Sequence, residues 1–169
     1  CKHYHRNIFG CRIFFEIGGV TEEKVRQAIR TAQRLLEKND EGILSPHSFY
    51  SVPEPILSEL FARSGDNRPL SIHLLENEEE DSFFRRRSGL LYELIHANCQ
   101  GARFVAVSPI DWLQKNGWPS SRLMIVHGNH LSEPEIRLLR GVGASVIHCP
   151  GSHRFFGNQP FPLRSLVKE

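Results

Sequence analysis

The stretch Leu70-Ser-Ile-His-Leu-Leu-Glu-Asn-Glu-Glu-Glu80 changes character halfway along its length. Its first half is apolar, which predicts a short buried strand, and its second half has the acid-rich composition of a helix start. His73 lies in the predicted strand and Glu76 follows three residues later. Because side chains alternate along a strand, these two residues can share a face only if Glu76 lies beyond the strand, where the chain turns.

His73 and Glu76 have the chemistry of a metal ligand and a proton carrier. A neutral imidazole is the commonest protein ligand of zinc, and a nearby carboxylate can take a proton from a metal-bound water. A surface histidine followed by a glutamate at a helix start would give the same sequence pattern. Taken alone, the His73 and Glu76 pair favours this non-functional interpretation. The rest of the chain therefore has to decide between them.

Four further apolar stretches on either side of this strand also predict strands. Together with 69–75, the predicted strands are 12–17, 42–47, 122–126 and 144–148. Helical patterns occupy the segments between them, including a long region at 78–97 and a short helix at 109–115. Nearly continuous apolar strands that alternate with helices predict an α/β fold with a parallel sheet.

Several of the helices have recognisable start and stop signals. Thr21 can cap the first helix, whose apolar residues recur at three- and four-residue spacing. Ser51–Glu54 and Ser132–Glu135 have the Ser-x-x-Glu pattern of a capping box, and Gly141 is expected to end the helix that follows the second of these.

Histidine recurs at the carboxyl ends of the predicted strands. His47, His73, His127 and His148 each lie at or just beyond such an end. Active sites of α/β barrels and open parallel sheets lie at this edge, so residues far apart in sequence are expected to meet there.

The individual histidines suit different tasks. His127 ends a strand in His-Gly and can donate a hydrogen bond to a carbonyl or stabilise a developing charge. His47 lies in a rigid Ser-Pro-His turn that could hold a substrate, and His130 could be a capping or supporting group. His153 follows the strand-to-loop transition at His148. The residues of this transition could either shape the loop or contact substrate.

Composition limits the classes of function. A 169-residue chain that is 40% hydrophobic can bury the core of one domain, and a net charge of +2 without a basic stripe argues against nucleic-acid binding. The four cysteines have no paired spacing, which favours free thiols and a cytoplasmic location. No apolar run approaches the roughly 20 residues of a membrane span, so no membrane partner is expected.

Three other patterns invite a functional interpretation and are set aside. His3-Tyr4-His5 has metal-pair spacing, but no strand precedes it to position the two rings. The charged runs Glu78–Asp81 and Arg85–Arg87 are typical of a solvated helix face. A hydrolase that uses Cys149 with His148 has little support, because adjacent residues on a strand point to opposite faces.

Four ordered motifs resemble one family. They are Ser-Pro-His-Ser-Phe-Tyr-Ser-Val (45–52), Ser-Ile-His-Leu-Leu-Glu-Asn-Glu-Glu-Glu (71–80), Val-His-Gly-Asn-His-Leu-Ser-Glu-Pro-Glu-Ile (126–136) and Ala-Ser-Val-Ile-His-Cys-Pro-Gly-Ser-His (144–153). In order and spacing they resemble the metal-dependent amidohydrolase superfamily, in its aminohydrolase branch of guanine, cytosine, adenosine-type and aminofutalosine deaminases and chlorotriazine hydrolases. The resemblance implies a (β/α)8 barrel of which the five predicted strands are the third to the seventh.

The resemblance also implies roles for single residues. It implies that His73 is a metal ligand, that Glu76 is the catalytic acid/base, and that His127 contacts the metal-bound water or the substrate carbonyl. His47 and His153 are implied to contact substrate. The implied cofactor is one divalent metal, most simply zinc with iron as the alternative. The implied reaction is hydrolytic deamination of a cyclic amidine or nucleoside-like amine, a small-molecule substrate, in a protein that could be a homo-oligomer.

Two parts of the family pattern have no match in the chain. The family's first strand supplies a His-x-His metal pair and its eighth strand a metal-binding aspartate. We therefore expect residues 1–169 to be a single incomplete catalytic domain, an internal fragment that is inactive alone because one ligand does not hold a catalytic zinc. The alternative is a non-catalytic α/β remnant that acts as a binding or assembly module.

Overall fold

The computed structural model describes residues 13–37, 42–63, 69–99, 101–105, 108–116 and 122–168. In this part of the chain the strands are β1 (Ile13–Ile17), β2 (Gly42–Pro46), β3 (Leu70–Leu74), β4 (Leu123–His127) and β5 (Ser145–Ile147). The helices are α1 (Glu22–Leu36), α2 (Glu54–Arg63), α3 (Glu78–Arg86), α4 (Leu90–Asn98), α5 (Pro109–Lys115), α6 (Glu133–Val142), α7 (Pro150–Phe155) and α8 (Leu163–Lys168).

The strands are parallel and follow one another in chain order. β1 pairs with β2, and β3 pairs with β4, which pairs with β5. Between β2 and β3 the backbone N–H of His73 donates to the carbonyl oxygen of His47 at 2.9 Å, and the Ser45 hydroxyl bonds the backbone of Ser71. The predicted α/β class with a parallel sheet is confirmed, and all five carboxyl ends lie at one edge.

The predicted cap of α1 is confirmed. The side-chain oxygen of Thr21 accepts a hydrogen bond from the backbone N–H of Lys24 at 3.3 Å, which satisfies one of the free donors of the first helical turn. Val25, Ile29 and Ala32 are buried on one face of the helix, as their spacing predicts. α1 is therefore an amphipathic helix that packs against β1 and β2.

The two predicted capping boxes have different outcomes. Ser132 and Glu135 form the reciprocal box at the start of α6. At the start of α2, however, the Ser51 hydroxyl bonds His47, and the Glu54 carboxylate accepts from Trp112 Nε1 at 3.1 Å. The prediction of a box at Ser51–Glu54 is wrong, because Ser51 bonds His47 and Ser48 within its own turn and Glu54 bonds Trp112 of α5.

Two predicted helix ends differ from the structure. α6 runs past Gly141 and stops at Gly143, which has φ +68° in the left-handed region that glycine tolerates. The region predicted as one helix is divided into α3 and α4. Arg87 (φ +51°) and Gly89 (φ +96°) reverse the chain between them.

Aromatic rings join α5 to α2 and to the turn that follows β2. The ring centroids of Phe61 and Trp112 are 5.4 Å apart, and those of Phe49 and Trp112 are 6.0 Å apart, both in edge-on geometry. The largest fully buried side chains of the core include Ile17, Ile56, Leu57, Ile72, Ile110 and Ile125. In the part of the chain that the structure describes, no helix combines the length and apolar character needed to cross a membrane.

Ile72 tests the placement of the core. Its side chain in β3 is fully buried, so Ile72→Ala is expected to lower the free energy of unfolding by about 2 to 5 kcal/mol through lost burial and a new cavity. Leu94→Ala is the control, because Leu94 is 52% exposed on α4 and its truncation should cost less than about 0.5 kcal/mol. Urea unfolding followed by circular dichroism measures both, and equal losses would contradict this core.

Candidate active site

A left-handed turn carries Glu76 away from the end of β3. Leu75, the first residue after the strand, has φ +53°, and Asn77 then caps α3 by accepting a hydrogen bond from the Glu80 backbone N–H at 3.1 Å. Glu76 therefore lies in the three-residue connection, 75–77, between β3 and α3. The expectation that it lies beyond the strand is confirmed.

Glu76 faces the imidazole at the end of the next strand. His127 Nε2 lies 3.1 Å from Glu76 Oε1. His127 itself has φ +75°, and Gly128 follows it at φ +62°. Because few non-glycine residues adopt this conformation, the backbone turns the ring toward Glu76 at some conformational cost.

His127 is a neutral imidazole in this arrangement. Burial, reinforced by the neighbouring histidines His73, His148 and His47, lowers its pKa from 6.5 to about 4. A neutral ring has a single N–H, so the contact with the Glu76 carboxylate is an Nε2–H hydrogen bond and not an ion pair. The other ring nitrogen, Nδ1, lies 3.3 Å from Ser152 Oγ.

His73 lies beside this pair, and its contact with the backbone of His47, just after β2, determines its tautomer. Its Nδ1 is 2.9 Å from the carbonyl oxygen of His47, which can only accept, so Nδ1 carries the proton. In the neutral form of this ring, Nε2 then presents a lone pair. An imidazole that donates from one nitrogen to a carbonyl is the usual state of a metal-ligating histidine.

The donor groups around His73 fit a divalent cation. Ligand atoms of Glu16, His47 and His73 all lie within 4.8 Å of one another. His73 Nε2 and Glu16 Oε1 are 3.6 Å apart, and both are acceptors when the ring is neutral, so a bound cation would satisfy them together. Two imidazoles and one carboxylate are a ligand set that zinc uses in proteins.

His47 turns its other nitrogen away from this cluster. Its Nδ1 lies 2.9 Å from Ser51 Oγ, and its ring centroid is 4.9 Å from that of His73. Burial lowers its pKa, and the neighbouring His73 adds to this effect, so the ring is neutral at pH 7. His47 therefore lies at the predicted edge and can face either a metal or a substrate.

His153 and His148, the other histidines predicted at this edge, contact Asn129 and Phe161. His153 Nδ1 lies 3.0 Å from Asn129 Oδ1, and the ring of His148 stacks on Phe161 at 4.0 Å. One ring nitrogen of His153 therefore contacts Asn129, and a substrate contact of His153 stays a prediction. His3 and His5 lie outside the described residues.

Sequence reasoning did not identify Glu16 as a donor, although it lies in a predicted strand that ends at the same edge. It also treated Glu80 as part of a solvated face. Glu80 is only 2% exposed, its Oε2 accepts from the Glu76 backbone N–H at 2.8 Å, and burial raises its pKa from 4.5 to about 7. The prediction of solvation is wrong for this residue, because α3 turns it under the strand end.

Comparisons with known proteins support the resemblance. The chain is 28% identical over 170 residues to a 5-methylthioadenosine/S-adenosylhomocysteine deaminase of Pyrococcus abyssi, covering 94% of the chain and 36% of the relative. Among solved structures, Helicobacter pylori aminofutalosine deaminase with bound methylthio-coformycin superposes with a TM-score of 0.75 at 20% identity, over 92% of the chain and 40% of that protein.

The chain is homologous to deaminases of the metal-dependent amidohydrolase superfamily. A zinc-bound adenosine deaminase of Xanthomonas campestris also shares the fold, with a TM-score of 0.65 at 21% identity over 93% of the chain and 34% of that protein. No family model matches the chain. The chain spans about a third of the length of these relatives, so the matches show homology and a shared fold for this portion.

Glu80 generates a prediction about pH. A carboxyl group whose pKa is raised on folding stabilises the fold below its ordinary pKa of 4.5, and this contribution is lost as the pH rises through about 7. Glu80→Gln keeps an acceptor for the Glu76 N–H but has no charge to bury. We expect the variant to gain stability relative to the native chain between pH 5 and pH 8.

Urea unfolding at the two pH values measures this difference, which should reach at most roughly 3 kcal/mol. Glu78→Gln is the matched control, because Glu78 lies exposed on the same helical turn. A stability difference between Glu80→Gln and the native chain that is the same at pH 5 and pH 8 would contradict the assigned burial.

Proposed function

We propose that the protein that carries this chain is a metal-dependent hydrolase that deaminates a nucleoside-like amine, and that its five strands are the third to the seventh of a (β/α)8 barrel. The observation that carries the proposal is the convergence of Glu76, His127 and the free Nε2 of His73 at one edge of the sheet. The named activities of the relatives support the reaction class.

His73 is proposed as a metal ligand, with Glu16 and His47 in reach of the same cation. When bound, such a metal lowers the pKa of a coordinated water so that hydroxide is available at neutral pH. The sequence alone suggested a single ligand. The two added donors support metal binding by the chain itself, while the inactivity of the chain alone stays a prediction.

Glu76 is proposed as the residue that moves protons. Its carboxylate is partly exposed at the strand edge and accepts the Nε2–H hydrogen bond of His127, so it is oriented while remaining able to take up a proton. In hydrolytic deamination the carboxylate would take a proton from the attacking water and deliver it to the ring nitrogen of the substrate, which gives an intermediate that carries OH and NH₂ on one carbon. The carboxylate would then move the hydroxyl proton to the amino group, so that the C=O bond forms as the C–N bond breaks and ammonia leaves. His127 would hold the carboxylate in position through its single N–H.

The substrate is proposed to lie over the rim formed by the strand ends. His47 beside the Tyr50 ring gives a polar and aromatic surface suited to a planar base, and His153 stays a proposed contact. A cytoplasmic location and a possible homo-oligomer remain parts of the same proposal. They follow from the sequence patterns and the resemblance.

Metal binding can be tested without substrate. Titration of the chain with Co²⁺, followed by visible absorption, should show binding in which His73→Asn weakens affinity by at least about 10-fold, as loss of a ligand removes a direct bond to the metal. His96→Asn is the control, because His96 is exposed on α4 and is not one of the three clustered donors Glu16, His47 and His73. Equal affinities for the native chain and His73→Asn would contradict the assigned ligand.

Catalysis can be tested in the whole protein loaded with zinc, using ammonia release from 5′-methylthioadenosine, adenosine and guanine. Glu76→Gln is expected to reduce kcat by roughly 100-fold or more, since the amide cannot carry the proton. Glu93→Gln, an exposed carboxylate on α4, should leave turnover unchanged. Absence of ammonia release from every substrate in the native protein would favour the non-catalytic binding module instead.

A further inference from the structure

The backbone of Glu76 is held by side chains from three separate segments. Its carbonyl oxygen accepts from Asn129 Nδ2 and from Asn158 Nδ2, both at 2.8 Å. Its N–H donates to the buried carboxylate of Glu80 at 2.8 Å. Both lone pairs of the carbonyl and the single N–H donor of this residue are therefore occupied by side chains.

Each of the two amides is oriented by a histidine. His130 Nε2 lies 3.0 Å from Asn158 Oδ1, and His153 Nδ1 lies 3.0 Å from Asn129 Oδ1. Since each amide oxygen faces a ring nitrogen, the NH₂ group of each amide faces the Glu76 carbonyl. The segment after α7 thereby contacts the connection between β3 and α3, which is 82 residues away in sequence.

This convergence differs from ordinary loop packing. Glu76 lies in a short connection that contains a left-handed residue, Leu75, and no regular helix or strand bond satisfies its carbonyl. A shift of about 1 Å in this backbone would change the 3.1 Å contact between Glu76 and His127, and such misplacement can cost a large factor in rate.

We propose that Asn129 and Asn158 are positioning residues that hold Glu76 against His127, with His130 and His153 orienting their amides. The effect of this positioning on catalysis rests on the proposed function, in which Glu76 moves protons. The geometry itself is independent of that role and can be measured in the metal-free chain without substrate.

Asn158 gives the cleanest test, because it is only partly buried. In the chain labelled with ¹⁵N-histidine, Asn158→Ala should change the imidazole ¹⁵N signals of His127 at pH 7.5, as its Nε2–H bond to Glu76 weakens. Asn98→Ala is the matched control, since the Asn98 amide also donates to a backbone carbonyl at 2.8 Å but lies at the end of α4. It should leave the His127 signals unchanged.

A second pair of variants tests the chain of contacts. Asn158→Asp keeps the size and the acceptor toward His130 but has no donor for Glu76, so it should change the His127 signals as well. His130→Gln keeps an N–H donor toward Asn158 and should give a spectrum closer to the native one than His130→Ala does.

Native His127 signals in a folded Asn158→Ala or Asn158→Asp chain would overturn the proposal. So would loss of the fold in both variants, since Asn158 would then support the whole domain and not Glu76 in particular. A changed spectrum in a protein without deaminase activity would leave the positioning geometry standing and reject only the proposed reaction.

Discussion

The carbonyl oxygen of His47 accepts two hydrogen bonds from His73, one from the backbone N–H and one from Nδ1, and the arrangement of the site depends on this pair. The first bond joins β2 to β3 and makes the strands follow one another along a single edge. The second bond places the proton of His73 on Nδ1 and leaves Nε2 free to bind a cation. One carbonyl group thus joins the strands and sets the tautomer of the proposed metal ligand.

Two left-handed residues place the rest of the site. Leu75, after β3, turns the chain so that Glu76 lies beyond the strand end. His127, at the end of β4, is itself left-handed, and its ring faces Glu76. Burial lowers the pKa of His127, so its neutral ring donates a hydrogen bond that orients the Glu76 carboxyl group. Leu75 and His127, the two left-handed residues, both lie at the strand edge that carries Glu76, and backbone strain of this kind is typical of functional sites.

The sequence predicted the features that depend on local pattern. Strands, amphipathic helices, the Thr21 cap and the histidines at strand ends follow from spacing that one segment contains by itself. Features that depend on how the turns fold, or on distant partners, were missed or wrong. Ser51 bonds His47 within its own turn in place of a helix cap, and Glu80 is buried in a run that looks solvated. The Asn158 contact with Glu76 spans 82 residues and has no local signal.

His73 is the proposed metal ligand on which the proposed chemistry of Glu76 and His127 depends. Anomalous diffraction at the zinc edge, from crystals of the zinc-loaded protein, tests this most directly. We predict a zinc peak about 2.0 to 2.1 Å from His73 Nε2, on the side that faces Glu16 and His47. A fully occupied zinc bound elsewhere, with none at His73 Nε2, would contradict the account.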